Sequence, residues 1–172
     1  TFFKFYYNPV SLISETNLKI ENNDDKNKNN LMENINYVAA DKIGNEYNIR
    51  SDFAEFNSDQ PELILMQKVK GVIELNNSSP ITIFSENAIY NKVNHDTNFF
   101  NNVVVEYEDH QILSNNLDLF FESNLASISK NIIYKSLNTE LRADKIEIDL
   151  TTKNSKIFMN ENTKKVKVIT LN

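Results

Sequence analysis

Apolar side chains occupy alternate positions in a series of short runs between residues 69 and 150. The alternating set is Val69, Gly71, Ile73 and Leu75, then Ile81 and Ile83, then Val103, Val105 and Tyr107, then Leu117, Leu119 and Phe121, then Ile132 and Tyr134, and last Ile146, Ile148 and Leu150. Charged residues such as Lys70, Glu106 and Asp118 lie between them. Because successive side chains of a β-strand point to opposite faces, the pattern predicts strands with one face in a core and the other in water. No window of a dozen residues shows a helical stripe, so we predict an all-β chain.

A short motif, a small residue followed by a hydrophobic run, repeats through the same region. Its four copies begin at Ser51, Ser85, Ser114 and Ala143. These starts lie 34, 29 and 29 residues apart. The aliphatic residues that follow the first three starts by eighteen positions are Val69, Val103 and Ile132. A nearly constant period in this range indicates stacked supersecondary units.

The links between the runs are short and polar. Gly44-Asn45 separates two β-prone runs and predicts a hairpin turn, because both residue types tolerate positive φ. Two architectures fit such a chain, a β-solenoid and an open antiparallel jelly roll. Solenoid coils usually recur at shorter, stricter periods with glycine-rich corners, and this chain has only 2 glycines. We therefore predict an open, twisted, taco-like antiparallel β-jelly-roll built from repeated short strands.

The first 30 residues differ in character from the rest. Residues 1–7 contain five aromatic side chains and resemble the interfacial end of a membrane helix, although the run is too short to span a bilayer. Residues 17–30 are polar and of low complexity, which is typical of a flexible linker. We expect residues 1–30 to be the end of a membrane anchor plus a linker, and residues 31–172 to form one folded domain. The alternative is a frayed terminus that packs on the domain.

Composition narrows the possible functions. The chain has 172 residues, a formal net charge of -6 and no cysteine. The absence of cysteine excludes disulfides, thiolate catalysis and cysteine metal sites, and it fits an oxidising compartment. Neither sign of charge is concentrated in one segment, so no basic stripe is present for nucleic acid and we expect no such partner.

The candidates for catalysis are few. His95 and His110 each have a neighbouring aspartate, but both lie in predicted turns where adjacent side chains diverge, so we interpret them as surface turn residues. No histidine spacing suits zinc and no glycine-rich phosphate loop is present, so we expect neither a metal nor a cofactor. Asp144, Glu147 and Asp149 resemble the carboxylate row of a polysaccharide-cleaving enzyme, yet Glu147 and Asp149 share the solvent face of one strand, where acidic residues are expected anyway.

Four stretches together resemble a known family. They are residues 44–54, residues 61–69, the repeat at residues 85–90, and residues 143–148. Their order and spacing are similar to those of the LptC family, membrane-anchored periplasmic proteins of the lipopolysaccharide export machinery. The resemblance runs from about Leu31 to the C-terminus, and LptA and the amino-terminal domain of LptD share the same repeating fold.

The resemblance implies a non-enzymatic lipid conduit. Its N-terminal edge would dock on the inner-membrane subunits of the lipopolysaccharide ABC transporter, and its C-terminal edge would meet an LptA-like periplasmic protein. The domain would lie in the periplasm, anchored to the inner membrane through an N-terminal helix outside this chain. The alternatives are a soluble LptA-like bridge, a carbohydrate-active enzyme, and a structural β-repeat protein with a closed, dry core.

Two sets of candidate site residues follow from the sequence. One set consists of apolar residues predicted to face the interior, and the other lies in the last strand-like segment of the chain. A jelly roll that does not close leaves inward apolar surface available to an acyl chain. The candidate lipid-binding residues are Ile73, Ile83, Val103, Val105, Leu117, Leu119, Ile132, Ile146 and Ile148. For each of them singly, ordinary core packing is the alternative. The partner edge is predicted at Val166, Val168 and Thr170, where nearby lysines either protect an unpaired edge or contact a partner.

Overall fold

The computed structural model of the chain describes residues 30–159 and 167–170. The predicted membrane-anchor remnant and linker therefore lie outside the described residues, except for Asn30, and so does Val166 of the predicted partner edge. The described residues form no helix, and hence none that is long and apolar enough to cross a bilayer.

Ten antiparallel strands form a single sheet. They are β1 (Asn30–Ala40), β2 (Glu46–Asn57), β3 (Gln60–Glu74), β4 (Ile81–Asn91), β5 (Thr97–Tyr107), β6 (His110–Phe120), β7 (Leu125–Ser136), β8 (Thr139–Asp149), β9 (Ser155–Phe158) and β10 (Lys167–Thr170). The first eight follow one another in chain order, and β8 then pairs with both β9 and β10 along different parts of its length. The predicted all-β antiparallel class is confirmed. Gly44 has a φ of 91° in the β1–β2 connection, as the predicted hairpin turn requires.

The repeated motif lies in the middle of a strand rather than at its start. Ser51, Ser85 and Ser114 are buried near the centres of β2, β4 and β6, and the residue after each is exposed. Register shifts occur beside these positions in every pair from β4–β5 to β7–β8. Positive φ angles fall at the same level of the alternate strands β1, β3, β5 and β7, at Asn34, Lys68, Asn101, Asn102, Lys130 and Asn131. Such bulges bend a strand, so the motif marks a line along which the whole sheet folds over.

This fold line explains why the strands are longer than expected. Each of β1 to β8 is 11–15 residues long, and each of β3 to β8 contains one of the predicted alternating runs and continues across the fold line into the other half-sheet. We call the two sides of the line the first half-sheet, which holds the β1–β2 turn, and the second half-sheet, which holds the β2–β3 turn. Inward side chains from both half-sheets form one core.

Gly71 and Phe99 form a close contact between the half-sheets. Gly71 lies on β3 in the first half-sheet, and Phe99 lies on β5 in the second. A Cβ atom on Gly71 would be 3.1 Å from Cζ of Phe99, so the aromatic ring packs directly on the backbone of β3. The absence of a side chain at Gly71 therefore sets the separation of the two half-sheets near their centre.

Candidate functional site

The nine predicted lipid-binding residues all lie on the inner face of the folded sheet, and they form two groups. Six are packed in the core with side chains no more than 2% exposed, namely Ile73, Ile83, Val103, Leu117, Leu119 and Ile132. The other three, Val105, Ile146 and Ile148, line an internal cavity. The structure thus places three of the predicted residues beside open space.

The cavity has a volume of about 390 Å³ and lies between the two half-sheets. The first half-sheet lines it with Leu75, Ile81, Val105, Tyr107, Ile112 and Tyr134. The second half-sheet lines it with Ile146, Ile148, Leu150 and Ile157. On the first half-sheet these residues lie at the strand ends furthest from the fold line, so the cavity opens where the half-sheets diverge and not along the fold. The alternation had placed several of them inward, but it gave no indication that Ile112 and Ile157 belong to the site.

A histidine–tyrosine pair forms part of the cavity wall. The hydroxyl of Tyr134 lies 2.7 Å from Nδ1 of His110, and the two rings stack with centroids 5.8 Å apart. Nε2 of His110 lies 3.5 Å from a carboxylate oxygen of Asp109. His110 is the first residue of β6 rather than a turn residue, but its side chain is 40% exposed, so it lies at the surface as predicted. The ring of Tyr134 on the neighbouring strand stacks against it.

The loop between β8 and β9 crosses the cavity mouth. Nζ of Lys153 donates to Oγ of Ser78 at 2.7 Å and to the carbonyl oxygen of Asn76 at 3.3 Å, both in the β3–β4 connection. At the base of the loop, the Asp149 carboxylate accepts the backbone N–H groups of Thr151 and Thr152, each at 2.9 Å. The hydrogen bond from the Thr152 N–H is the main reason why the pKa of Asp149 is lowered. Lys153 thereby links the second half-sheet to the first.

A second link lies further along the mouth. The hydroxyl of Tyr47 donates to Oδ1 of Asn124 at 2.9 Å, joining β2 in the first half-sheet to the β6–β7 turn in the second. Asn45, only 2% exposed, donates from Nδ2 to Asp41 at 2.8 Å and accepts the backbone N–H of Asn76 at 2.9 Å. Burial, followed by the charge of Asp41, raises the pKa of Tyr47, so its hydroxyl stays protonated. Tyr47 therefore provides a second polar link between the half-sheets, and Asn45 joins the β1–β2 turn to the β3–β4 connection.

His95 belongs to a separate aromatic cluster in the second half-sheet. It is a turn residue, as predicted, but half-buried rather than on the open surface. Its Nδ1 lies 2.6 Å from the hydroxyl of Tyr90, and its ring meets Phe121 edge to face. Burial raises the pKa of Tyr90, so its hydroxyl stays protonated beside the His95 ring. Burial also lowers the pKa of His95 from its usual 6.5, and the nearby charge of Asp96 opposes this only in part.

We therefore expect the domain to lose stability on mild acidification. Because the folded-state pKa of His95 lies below its unfolded value, the contribution of the neutral ring is complete above about pH 6.5 and is lost as the pH falls toward the lowered folded-state pKa. Thermal unfolding measured between pH 7.5 and 5.5 tests this. His95→Gln should flatten the pH dependence, and an identical slope in the two chains would contradict the assignment to His95.

The described residues form no cluster of side chains suited to a metal ion, and the candidate carboxylates of β8 have other partners. No group of three or more metal-ligating side chains occurs within residues 30–159 or 167–170. Glu147 is 2.6 Å from the ammonium of Lys145, and the Asp149 carboxylate is held by its own turn. The alternative of a polysaccharide-cleaving enzyme therefore gains no support from this strand.

Comparison with known proteins identifies the family. The model of the lipopolysaccharide-assembly, LptC-related family matches residues 8–164. The chain belongs to this family. This confirms the resemblance read from the sequence, and it gives the LptC-related chain a role in lipopolysaccharide transport.

Structural comparison supports the same fold. The LptC-related chain is similar to LptH from Pseudomonas aeruginosa, the LptA homologous periplasmic component of the conserved lipopolysaccharide transport device. The TM-score is 0.51 at 10% sequence identity, over 72% of this chain and 93% of LptH. At this identity the likeness concerns the fold alone, and it confirms the predicted open β-jelly-roll. A search of curated protein sequences finds no match.

Proposed function

We propose that the domain binds acyl chains of lipopolysaccharide between its half-sheets and passes the lipid on without chemical change. The cavity of about 390 Å³ carries this proposal, since its lining is mainly aliphatic and aromatic. Its size lies within the range of about 300–1,000 Å³ that is usual for small-molecule sites. Burial of each methylene contributes about 0.8 kcal/mol, and this gain has no preferred direction, which suits a surface along which a lipid moves.

A cavity of this volume can hold one part of a lipid, but it cannot hold a whole molecule with several acyl chains. A larger lipid would fit only if the half-sheets moved apart at the mouth, where Lys153 and Tyr47 hold them together. Opening about the fold line would then expose the six core candidates from the mouth inward, with Ile73 early and Val103, beside the bend of β5, late. In this proposal Val105, Ile146 and Ile148 contact the lipid first.

Site-specific photocrosslinking to lipopolysaccharide tests the proposal. A probe at Val105 or Ile148 should form adducts, because both positions line the cavity, whereas the outward positions Asp118 and Glu147 should not. A probe at Leu119 reports whether lipid also reaches the core. Absence of adducts at Val105 and Ile148 in folded protein would mean that the cavity holds no lipid, and it would favour a structural role.

The two ends of the sheet are the proposed partner surfaces. β1 begins the strand order, and β10 pairs with one half of β8 at the other end. We assign β1 to the inner-membrane ABC transporter subunits, and β10, with Val168 and Thr170, to an LptA-like protein through strand addition. Energy for transport would come from the transporter's ATPase. Membership of the LptC-related family supports a periplasmic location with attachment to the inner membrane, and we propose both for this domain.

A soluble bridge of the LptA type is the second candidate, favoured by the likeness to LptH. Membrane fractionation of the complete gene product separates the two. Recovery with the inner membrane supports the anchored form, and recovery in the soluble periplasm supports the bridge.

A further inference from the structure

Two charged side chains line the mainly apolar cavity, and their surroundings differ. They are Asp149 and Lys153. The Asp149 carboxylate is satisfied by two backbone N–H groups of its own turn, and Lys156 is the nearby cation that helps to lower its pKa. Lys153 forms no salt bridge with any carboxylate in the described part of the chain. Its ammonium is held by a hydroxyl and a carbonyl oxygen, both uncharged.

We propose that the cavity selects anionic amphiphiles, with the ammonium of Lys153 as the contact for a phosphate-type head group. This inference rests on the proposed function, because it assumes that an apolar chain occupies the cavity. The chain would lie between Val105 and Ile148 with the anion at the mouth. The aliphatic side chains of the lining do not distinguish a neutral head group from a charged one, so we assign the preference to Lys153, the lysine among the lining residues.

The present partners of Lys153 are weaker than the proposed ligand. The present bonds join a charged donor to neutral oxygens, whereas a phosphate oxygen carries negative charge and adds a direct attraction between opposite charges. A phosphate oxygen would therefore displace Ser78 Oγ and the Asn76 carbonyl, which are 2.7 and 3.3 Å away. Because these two bonds join the half-sheets, head-group binding also removes a restraint on their separation.

Other lysines near this end of the fold serve as internal controls. Lys156 lies on the exposed strand β9, three residues from Lys153, but does not line the cavity. Lys145 is already paired with Glu147 at 2.6 Å and sits over the ring of Phe158. Several lysines near this end of the fold carry positive charge, but among them only Lys153 lines the cavity.

Competition with a neutral fluorescent probe tests the proposal on the full chain. N-phenyl-1-naphthylamine would be displaced by dodecyl phosphate or by dodecyl maltoside, which share a tail and differ in head-group charge. We expect Lys153→Met to weaken dodecyl phosphate binding by about fivefold or more, since a charge-assisted bond is lost at a partly exposed site. Binding of dodecyl maltoside should not change. Lys153→Arg should retain the preference, and Lys156→Met should behave as the parent chain.

The outcomes separate the two proposals. If the parent chain binds both amphiphiles equally and Lys153→Met has no effect, the head-group contact is wrong while acyl-chain binding stands. If neither amphiphile displaces the probe, the cavity is not a lipid site and both proposals fail. Inorganic phosphate distinguishes a lipid head group from a free anion. Should phosphate alone weaken dodecyl phosphate binding as much as Lys153→Met does, the site is an anion site that needs no lipid tail.

Discussion

Replacing Phe99 with alanine should lower the free energy of unfolding by about 3–5 kcal/mol, the range for deleting a large buried aromatic side chain. Phe99 is fully buried, and its ring rests on the backbone of β3 at Gly71. Because Gly71 has no side chain, nothing on the facing strand can fill the space. Urea unfolding followed by circular dichroism measures the loss as a shift of the midpoint at constant slope.

Phe120→Ala is the matched control. The same side chain is removed from the neighbouring strand β6, but Phe120 is 40% exposed. We expect this change to cost about 1 kcal/mol or less, as most exposed substitutions do. Equal losses in the two variants would show that the contact between Phe99 and Gly71 does not hold the half-sheets together.

Replacing Ile148 with glutamate should weaken lipopolysaccharide binding at least about tenfold while the domain stays folded. The side chain lines the cavity but is half-buried, so a carboxylate at this position can reach water when the cavity is empty. An acyl chain in the cavity would force the carboxylate into apolar surroundings, which is costly without a partner. Binding measured by fluorescence titration, with thermal unfolding in parallel, separates loss of binding from loss of folding.

Ile89→Glu makes the same chemical change on the opposite face of the sheet. Ile89 is 36% exposed, on the outer surface of the second half-sheet. Lipid binding by this variant should match that of the parent chain. If Ile148→Glu binds lipid normally although folded, Ile148 does not contact the ligand. If Ile89→Glu loses binding too, the effect comes from net charge rather than from the cavity.

The alternation of side chains predicted the face of each strand but not the depth of each residue. Val103 and Val105 share a face and lie two positions apart, yet Val103 is 1% exposed in the core and Val105 lines the cavity. A period of two states which side of the sheet a residue occupies. Whether the residue lies in the core or beside the cavity also depends on its distance from the fold line. That distance is set by where the sheet bends. For this reason the sequence predicted the inner face correctly and did not separate core from cavity.

The bend leaves a signal in the sequence, but the repeat does not reveal it. The period of the motif at Ser51, Ser85 and Ser114 shows that units recur, and it does not show that each copy is the middle of a strand. Asparagine adopts positive φ more readily than most residues, and the Asn101-Asn102 pair marks the bend of β5. The abundance of asparagine throughout the chain hid this indication.

Contacts across the mouth could not be predicted at all. Tyr47 and Asn124 are 77 positions apart, and so are Lys153 and Asn76. No local pattern brings such residues together, because their meeting depends on how the two half-sheets twist over one another. The polar part of the candidate site therefore emerged only from the three-dimensional structure.

The fold line also has a consequence for the size of these domains. Each hairpin carries its own bend and pairs mainly with its sequence neighbours, so the unit is complete in itself. The later motif copies are 29 residues apart, which is the length of one hairpin. If one hairpin were inserted or lost, the bends of the remaining strands would still lie on one fold line. Strands in a sheet are about 4.8 Å apart, so each such event would change the length of the apolar interior by about 10 Å. Domain length in this architecture is thus a quantity that evolution, or a designer, can adjust in whole steps.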